Sequence, residues 1–188
     1  ERFSLTMPIF TDHTGQVAKH YEFMGTPFHV LIDSDKKVIF QGHEADKPLD
    51  NTLRLLSHNG KVDEARLLKK QGQATPLLIP KQGKKAVLFT ATWCDWYLAD
   101  TRPAMAKQCE LAQQHVNQLA EQGVDVEVKV SQLWTDQSAV QEYVDKFSAT
   151  MPVSIDYGND LFIENGINSV PSLLLYNDGK LVSKKAKF

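Results

Sequence analysis

The sequence is poor in cysteine, in net charge and in long apolar runs. Two cysteines, Cys94 and Cys109, among 188 residues are too few for a disulfide scaffold. His13, His20, His29, His43, His58 and His115 fall at no metal-ligand spacing, and His43-Glu44 reads as a solvated strand end. No Gly-rich phosphate loop is present, so no cofactor and no metal is expected. With 21 Lys+Arg against 23 Asp+Glu the net charge is -2, and nothing in it favours a nucleic-acid or acidic-membrane partner. The longest apolar stretches, such as Ala86 to Phe89 and Ser172 to Tyr176, are far shorter than the ~20 residues of a membrane-crossing helix. What remains, at 42% hydrophobic and 23% charged, is a globular chain of one domain and part of another.

An internal repeat organises the chain. At an offset of 144, Phe3-Ser-Leu-Thr-Met-Pro8 falls on Phe147-Ser-Ala-Thr-Met-Pro152, and without a gap Asp12 meets Asp156, Pro27 meets Pro171, Leu31 meets Leu175 and Val38 meets Val182. Ten of the 44 overlapping positions are identical, which points to duplication. Glu1 then corresponds to Asp145, inside the helical pattern of Val140, Tyr143, Val144 and Phe147, so the chain is expected to start in the last turn of a helix, as a piece of a longer tandem protein. Residues 1–58 form the C-terminal half of a first copy, including a helix around Leu49, Leu53 and Leu56. Residues 59–83, with turn signals at Asn59-Gly60, Gln71-Gly72 and Gln82-Gly83, form a linker with a short helix at Val62 to Lys70 and a short strand at 77–79. Residues 84–188 form a second copy that stops before its last helix, and the Leu49 to Leu56 helix is a candidate to cover the face so exposed. Alternatively, the incomplete half-domain pairs with another chain as a homo-oligomer.

The second copy alternates strands and helices. Ala86 to Thr90 reads as a buried strand; Met105, Cys109, Ala112, Val116 and Leu119 recur at helical spacing up to Gly123; Val124, Val126, Val128 and Val130 alternate as a strand. The Val140 to Phe147 helix, the strand Pro152 to Ile155 and a helical turn near Leu161 and Phe162 follow. Asn177-Asp178-Gly179 then joins strands 172–176 and 180–182 as a tight hairpin. This order implies an α/β sandwich with a mixed sheet.

Thr92-Trp93-Cys94-Asp95-Trp96-Tyr97 places a cysteine between a buried strand and a helix, where free backbone N–H groups stabilise a thiolate. Val170-Pro171 precedes an apolar strand, where a cis bond would expose backbone groups to an extended peptide. Together with Phe89-Thr-Ala-Thr-Trp-Cys94, a kink-forming Pro103 inside the following helix and Pro152-Val-Ser-Ile-Asp156, these residues resemble the thioredoxin superfamily, in particular its TlpA-like and redoxin-like branch. The resemblance covers residues 84–188 and roughly 3–58. It implies a three-layer α/β/α sandwich, thiol-disulfide exchange with protein or small-molecule thiols, and a bacterial periplasmic or extracytoplasmic setting. Gly25-Thr26-Pro27 becomes the first copy's cis-proline turn.

The departures from that pattern shape the expected chemistry. The family motif Trp-Cys-x-x-Cys ends here in Tyr97, Pro103 falls nine residues after Cys94 where eight are usual, and Leu88 replaces a buried aspartate. On one straight helix Cys109 would lie about 22 Å from Cys94, beyond the roughly 7 Å a disulfide tolerates, so Cys109 is expected to be a core residue and Cys94 to act alone. A peroxidase-type Thr-x-x-Cys turn is absent, since Ala91 stands three residues before Cys94. The expected site is Cys94 as nucleophile, Asp100 as acid-base helper, and Trp93, Val170 and Pro171 shaping the substrate groove. Trp96 and Tyr97 either line that groove or only pack, and Asp95 opposes thiolate formation. Asp12 and Asp156 are expected to cap turns. The rival is a redox-inactive thioredoxin-fold module that binds a protein partner.

Overall fold

A computed structural model describes residues 6–13, 15–21, 23, 26–58, 62, 65–68, 72–73 and 75–188. The expected helical start at Glu1 and the first half of the hexapeptide repeat lie outside the described residues; of the expected Val62 to Lys70 helix, 62 and 65–68 are described and are not helical, Arg66 instead bridging to Phe40 of the strand 38–42 as an extended residue. The elements are α1 (Gln16–His20), β1 (His29–Ile32), β2 (Val38–Gly42), α2 (Lys47–Ser57), β3 (Lys84–Thr90), α3 (Cys94–Tyr97), α4 (Pro103–Glu121), β4 (Asp125–Ser131), α5 (Gln137–Phe147), β5 (Val153–Asp156), α6 (Asp160–Glu164), β6 (Ser172–Asn177) and β7 (Lys180–Lys185).

The last five strands form one mixed sheet in the order β5-β4-β3-β6-β7. β3 runs parallel to β4, and β4 to β5, while β6 is antiparallel to both β3 and β7. Period-two alternation sends Ala86, Leu88, Val126, Val128, Val130 and Leu173 to one face, where they pack on Ala112 and Val116 of α4 and Val140 and Tyr143 of α5. Val87, Phe89 and Leu174 point to the other face and pack on Leu161 and Phe162 of α6 and on Ile167. The rings of Phe89 and Phe162 meet edge-to-face at 5.0 Å. The result is a helix-sheet-helix sandwich, with the strand order and directions of a thioredoxin-like fold.

Local signals explain the boundaries. Asp136 caps α5 by accepting from Ala139 N, and Asp46 caps α2 by accepting from Leu49 N. α4 ends at Gly123, whose φ of 81° suits the left-handed position after a helix. Asp178 and Gly179, at φ 49° and 80°, make the two-residue turn between β6 and β7.

The same elements recur at the repeat offset. α1 and α6 are exactly 144 residues apart, each followed by an antiparallel hairpin, and the Thr26-Pro27 and Val170-Pro171 bonds are both cis. Asp12 Oδ2 accepts from Ala18 N at 2.9 Å, and Asp156 Oδ2 accepts from Phe162 N at 2.9 Å. The first hairpin forms its own two-stranded sheet; the elements α1 to α2 are termed the first unit, and those from β3 to β7 the second.

Two further expectations fail. Residues 77–79 form no strand; this stretch runs over the second face of the sheet, where Leu77 packs and the Thr75 carbonyl accepts from the buried Lys129 Nζ at 3.2 Å. Nor does α2 cover the second unit: it packs on β2, and the core clusters of the second unit hold none of its residues. An amphipathic helix takes the nearest apolar surface, and here that is offered by β2 of its own hairpin.

Candidate functional site

Cys94 opens α3 directly after β3, with its N–H donating to the Ala91 carbonyl at 3.1 Å. α3 lasts four residues, and a turn over 98–102 reverses the chain before Pro103 starts α4. Cys109 therefore lies only two turns into a second helix, packed back on the first. The Cα atoms of Cys94 and Cys109 are 6.1 Å apart and the sulphurs are joined in a disulfide. This corrects the expectation that Cys109 could not reach Cys94, which assumed one continuous helix. Pro103 is not a kink inside that helix but its first residue, the position that needs no N–H donor.

The disulfide is buried. Cys94 is 0% and Cys109 4% exposed, in a cluster with Ala91, Leu98 and Ala106 that Trp93, Met105 and Val170 cover. Trp93 is fixed by its indole N–H, which donates to the Leu133 carbonyl at 2.7 Å. Val170 touches both this cluster and the one beneath α6, and Pro171 is buried beside it. Trp93, Met105 and Val170 also line a cavity of about 440 Å³.

Trp96 and Tyr97 turn elsewhere. Tyr97 lies edge-on to Trp93 at 5.8 Å and to Trp134 at 5.2 Å, and Trp96 lies edge-on to Tyr97 at 6.1 Å. Trp96 and Trp134, 62% and 58% exposed, border a separate hollow with Glu142 and Lys146. Asp100 is exposed in the turn between α3 and α4 and lines neither cavity. Asp95 is buried and ion-paired with Lys146 of α5, so the carboxylate beside Cys94 carries its own counter-charge. Beneath it, Tyr143 donates to Gln113 Oε1 at 2.6 Å; burial, with the charge of Asp95, holds its hydroxyl far above the usual range.

Sequence reasoning missed Trp134, Leu133 and Lys146. The first two follow β4 directly, at the carboxyl ends of the parallel strands where α/β sites gather, and that placement is the signal that could have found them. A second buried carboxyl, Asp156, sits at the end of β5 with Oδ1 lacking a hydrogen-bond partner. Burial pushes it up to about 6, against the backbone donors Phe162 and Leu161 that lower it. Among the described residues, no group of three His, Cys, Asp or Glu could hold a metal ion, and no helix is long and apolar enough to cross a membrane.

The chain matches no family model and no curated protein. Solved structures similar to it include StoA from Bacillus subtilis, at 20% identity and TM-score 0.43 over 58% of this chain and 76% of that one. Another is a secreted Mycobacterium tuberculosis disulfide oxidoreductase, at 16% identity and TM-score 0.44 over 58% and 75%. A thiol-disulfide oxidoreductase from Bacteroides fragilis covers more, 86% of this chain and 90% of its own, at 11% identity and TM-score 0.45. By its own strand order and directions, the second unit has a thioredoxin-like fold, with a cysteine pair joined across the α3–α4 turn.

Proposed function

We propose that the chain is a thiol-disulfide exchange protein in which Cys94 and Cys109 cycle between disulfide and dithiol. What supports this reading above all is the 6.1 Å approach of the two cysteines at the carboxyl end of β3, with Trp93 and Val170 packed over them. A substrate thiolate attacks Cys94 Sγ, the Cys94–Cys109 bond breaks, and Cys109 leaves as a thiolate that takes a proton. A second substrate thiol attacks the mixed disulfide, giving substrate disulfide and reduced protein; two electrons pass from two thiols to the protein pair. Cys109 replaces the resolving cysteine that Tyr97 lacks, so the single-thiol cycle read from the sequence becomes a two-thiol cycle. Trp93, Val170 and Pro171 shape the groove. Asp100, exposed and outside it, has the weakest claim to a role, and Trp96 and Tyr97 belong to the aromatic ledge with Trp134. An extracytoplasmic setting fits a chain whose cysteines are paired.

The test is trapping. Cys109→Ser, treated with an aromatic disulfide, should hold a stable mixed disulfide at Cys94, and Cys94→Ser should hold none at Cys109. Modification of Cys109 alone would overturn the assignment.

One observation favours a second reading: both sulphurs are buried, as in a structural disulfide of a redox-inactive binding module. A disulfide that glutathione cannot open in the native chain would select that reading. The two readings share one further feature, the exposed apolar side chains Met7, Ile9 and Phe10 of the first unit, which support pairing of two copies through the incomplete half-domain; sedimentation velocity reads it.

A further inference from the structure

The cavity over Trp93, Met105 and Val170, which cover the disulfide and separate it from the cavity, is not built by the second unit alone. Phe23 and Thr26 of the first unit line it together with Trp93, Met105 and Val170. They are held by several contacts. Phe23 N donates to the Ala18 carbonyl at 2.8 Å, and its ring lies edge-on to Phe28 at 5.8 Å. Phe28 packs on His43 at 5.0 Å, His43 Nδ1 lies 2.9 Å from the Pro27 carbonyl, and Gln41 Nε2 donates to the Tyr21 carbonyl at 3.1 Å. α1 packs on α6, and a Cβ on Gly15 would lie 3.3 Å from Ile163 Cγ2. The wall is therefore braced from both sides.

A protein thiol reaches such a site on an extended chain, which needs room for a strand about 4.8 Å from the one it joins. Here the space beside Val170 is a cavity of about 440 Å³ that Phe23 and Thr26 help to bound, within the size range of small-ligand sites. Arg102 supplies its one charged side chain among the described lining residues, and it is positive. Resting on the thiol-exchange reading, we propose that Phe23 and Thr26 act as a specificity wall that makes the Cys94–Cys109 pair selective for small acidic thiols over protein thiols. Bond making and breaking are those of the exchange above, with the small thiol as reductant.

The test compares rates of opening of the oxidised full chain by glutathione and by reduced thioredoxin, at equal thiolate concentration, read by acid quench, alkylation and mass spectrometry. The wild type should favour glutathione by about tenfold or more, and Phe23→Ala should narrow that preference to below about threefold by raising the protein rate most, because access governs exchange at a buried disulfide. Thr26→Trp, which adds bulk at an exposed position, should widen it and covers the case in which Phe23→Ala does not fold. A wild type that reacts with thioredoxin as fast as with glutathione, or a preference that neither variant moves, overturns the proposal. A wild type that resists both thiols overturns the proposed selectivity even if Phe23→Ala opens to both. Resistance in every variant overturns both the wall and the exchange reading.

Discussion

The two units share local design and differ in burial. Each has a short helix, a cis X-Pro bond and a hairpin, and in each an aspartate oxygen accepts from the backbone six residues on, at 2.9 Å. In the second unit the helix face carrying Leu161 and Phe162 is buried against Val87 and Phe89. In the first, the equivalent Val17 is exposed and Phe10 is 89% exposed. The hairpin and helix are specified by nearby residues, whereas burial depends on the central strands β3 and β4, which the described first unit does not have. Local sequence thus sets the elements, and the neighbouring strands decide whether they acquire a core.

Equal changes in the two units should break this symmetry unequally. The largest effect is expected at Phe89→Ala, which empties the second core and should lower stability by about 3–5 kcal/mol in urea unfolding. Phe40→Ala, at the buried phenylalanine of the first hairpin, should instead remove hydrogen-exchange protection from 29–57 while 84–185 stay protected. Cys109→Ser opens a 15-residue loop and should cost about 3 kcal/mol on a chain-entropy estimate, felt by the second unit. The matched aspartates give the smaller effects. Asp156 rises from 3.8 to about 6 in the fold, so the folded state binds more protons than the unfolded one between these values. Its stabilisation is full below about pH 4 and is lost as pH rises through about 6. Urea midpoints taken across that window should fall in the wild type relative to Asp156→Asn. Asp12→Ala, which removes the same hydrogen bond at an exposed site, should cost only about 0.5 kcal/mol.

Much of the fold was legible because its signals are periodic. The stripe of Cys109, Ala112 and Val116 is buried on α4, the alternating Val126, Val128 and Val130 are buried on β4, and the 177–179 turn joins its two strands as read. The central feature of the site was not legible, because it depends on a reversal between two helices. The 98–102 turn carries no Gly, and Pro103 is compatible with both a kink and a helix start, so sequence spacing overestimated the Cys94 to Cys109 distance. Lys129 was equally hidden: its place on a strand is clear, but its burial depends on residue 75 crossing the sheet above it. The Asp95–Lys146 pair joins helices 51 residues apart, which no local pattern reports.

The most direct test of the central claim is a redox titration of the native chain in glutathione buffers, with alkylation and mass spectrometry counting modified cysteines at Cys94 and Cys109. A reversible redox pair predicts that both residues pass together between unmodified and doubly alkylated as the buffer becomes reducing, and return when it is reoxidised. A disulfide that stays closed at every ratio until urea unfolds the chain would contradict it.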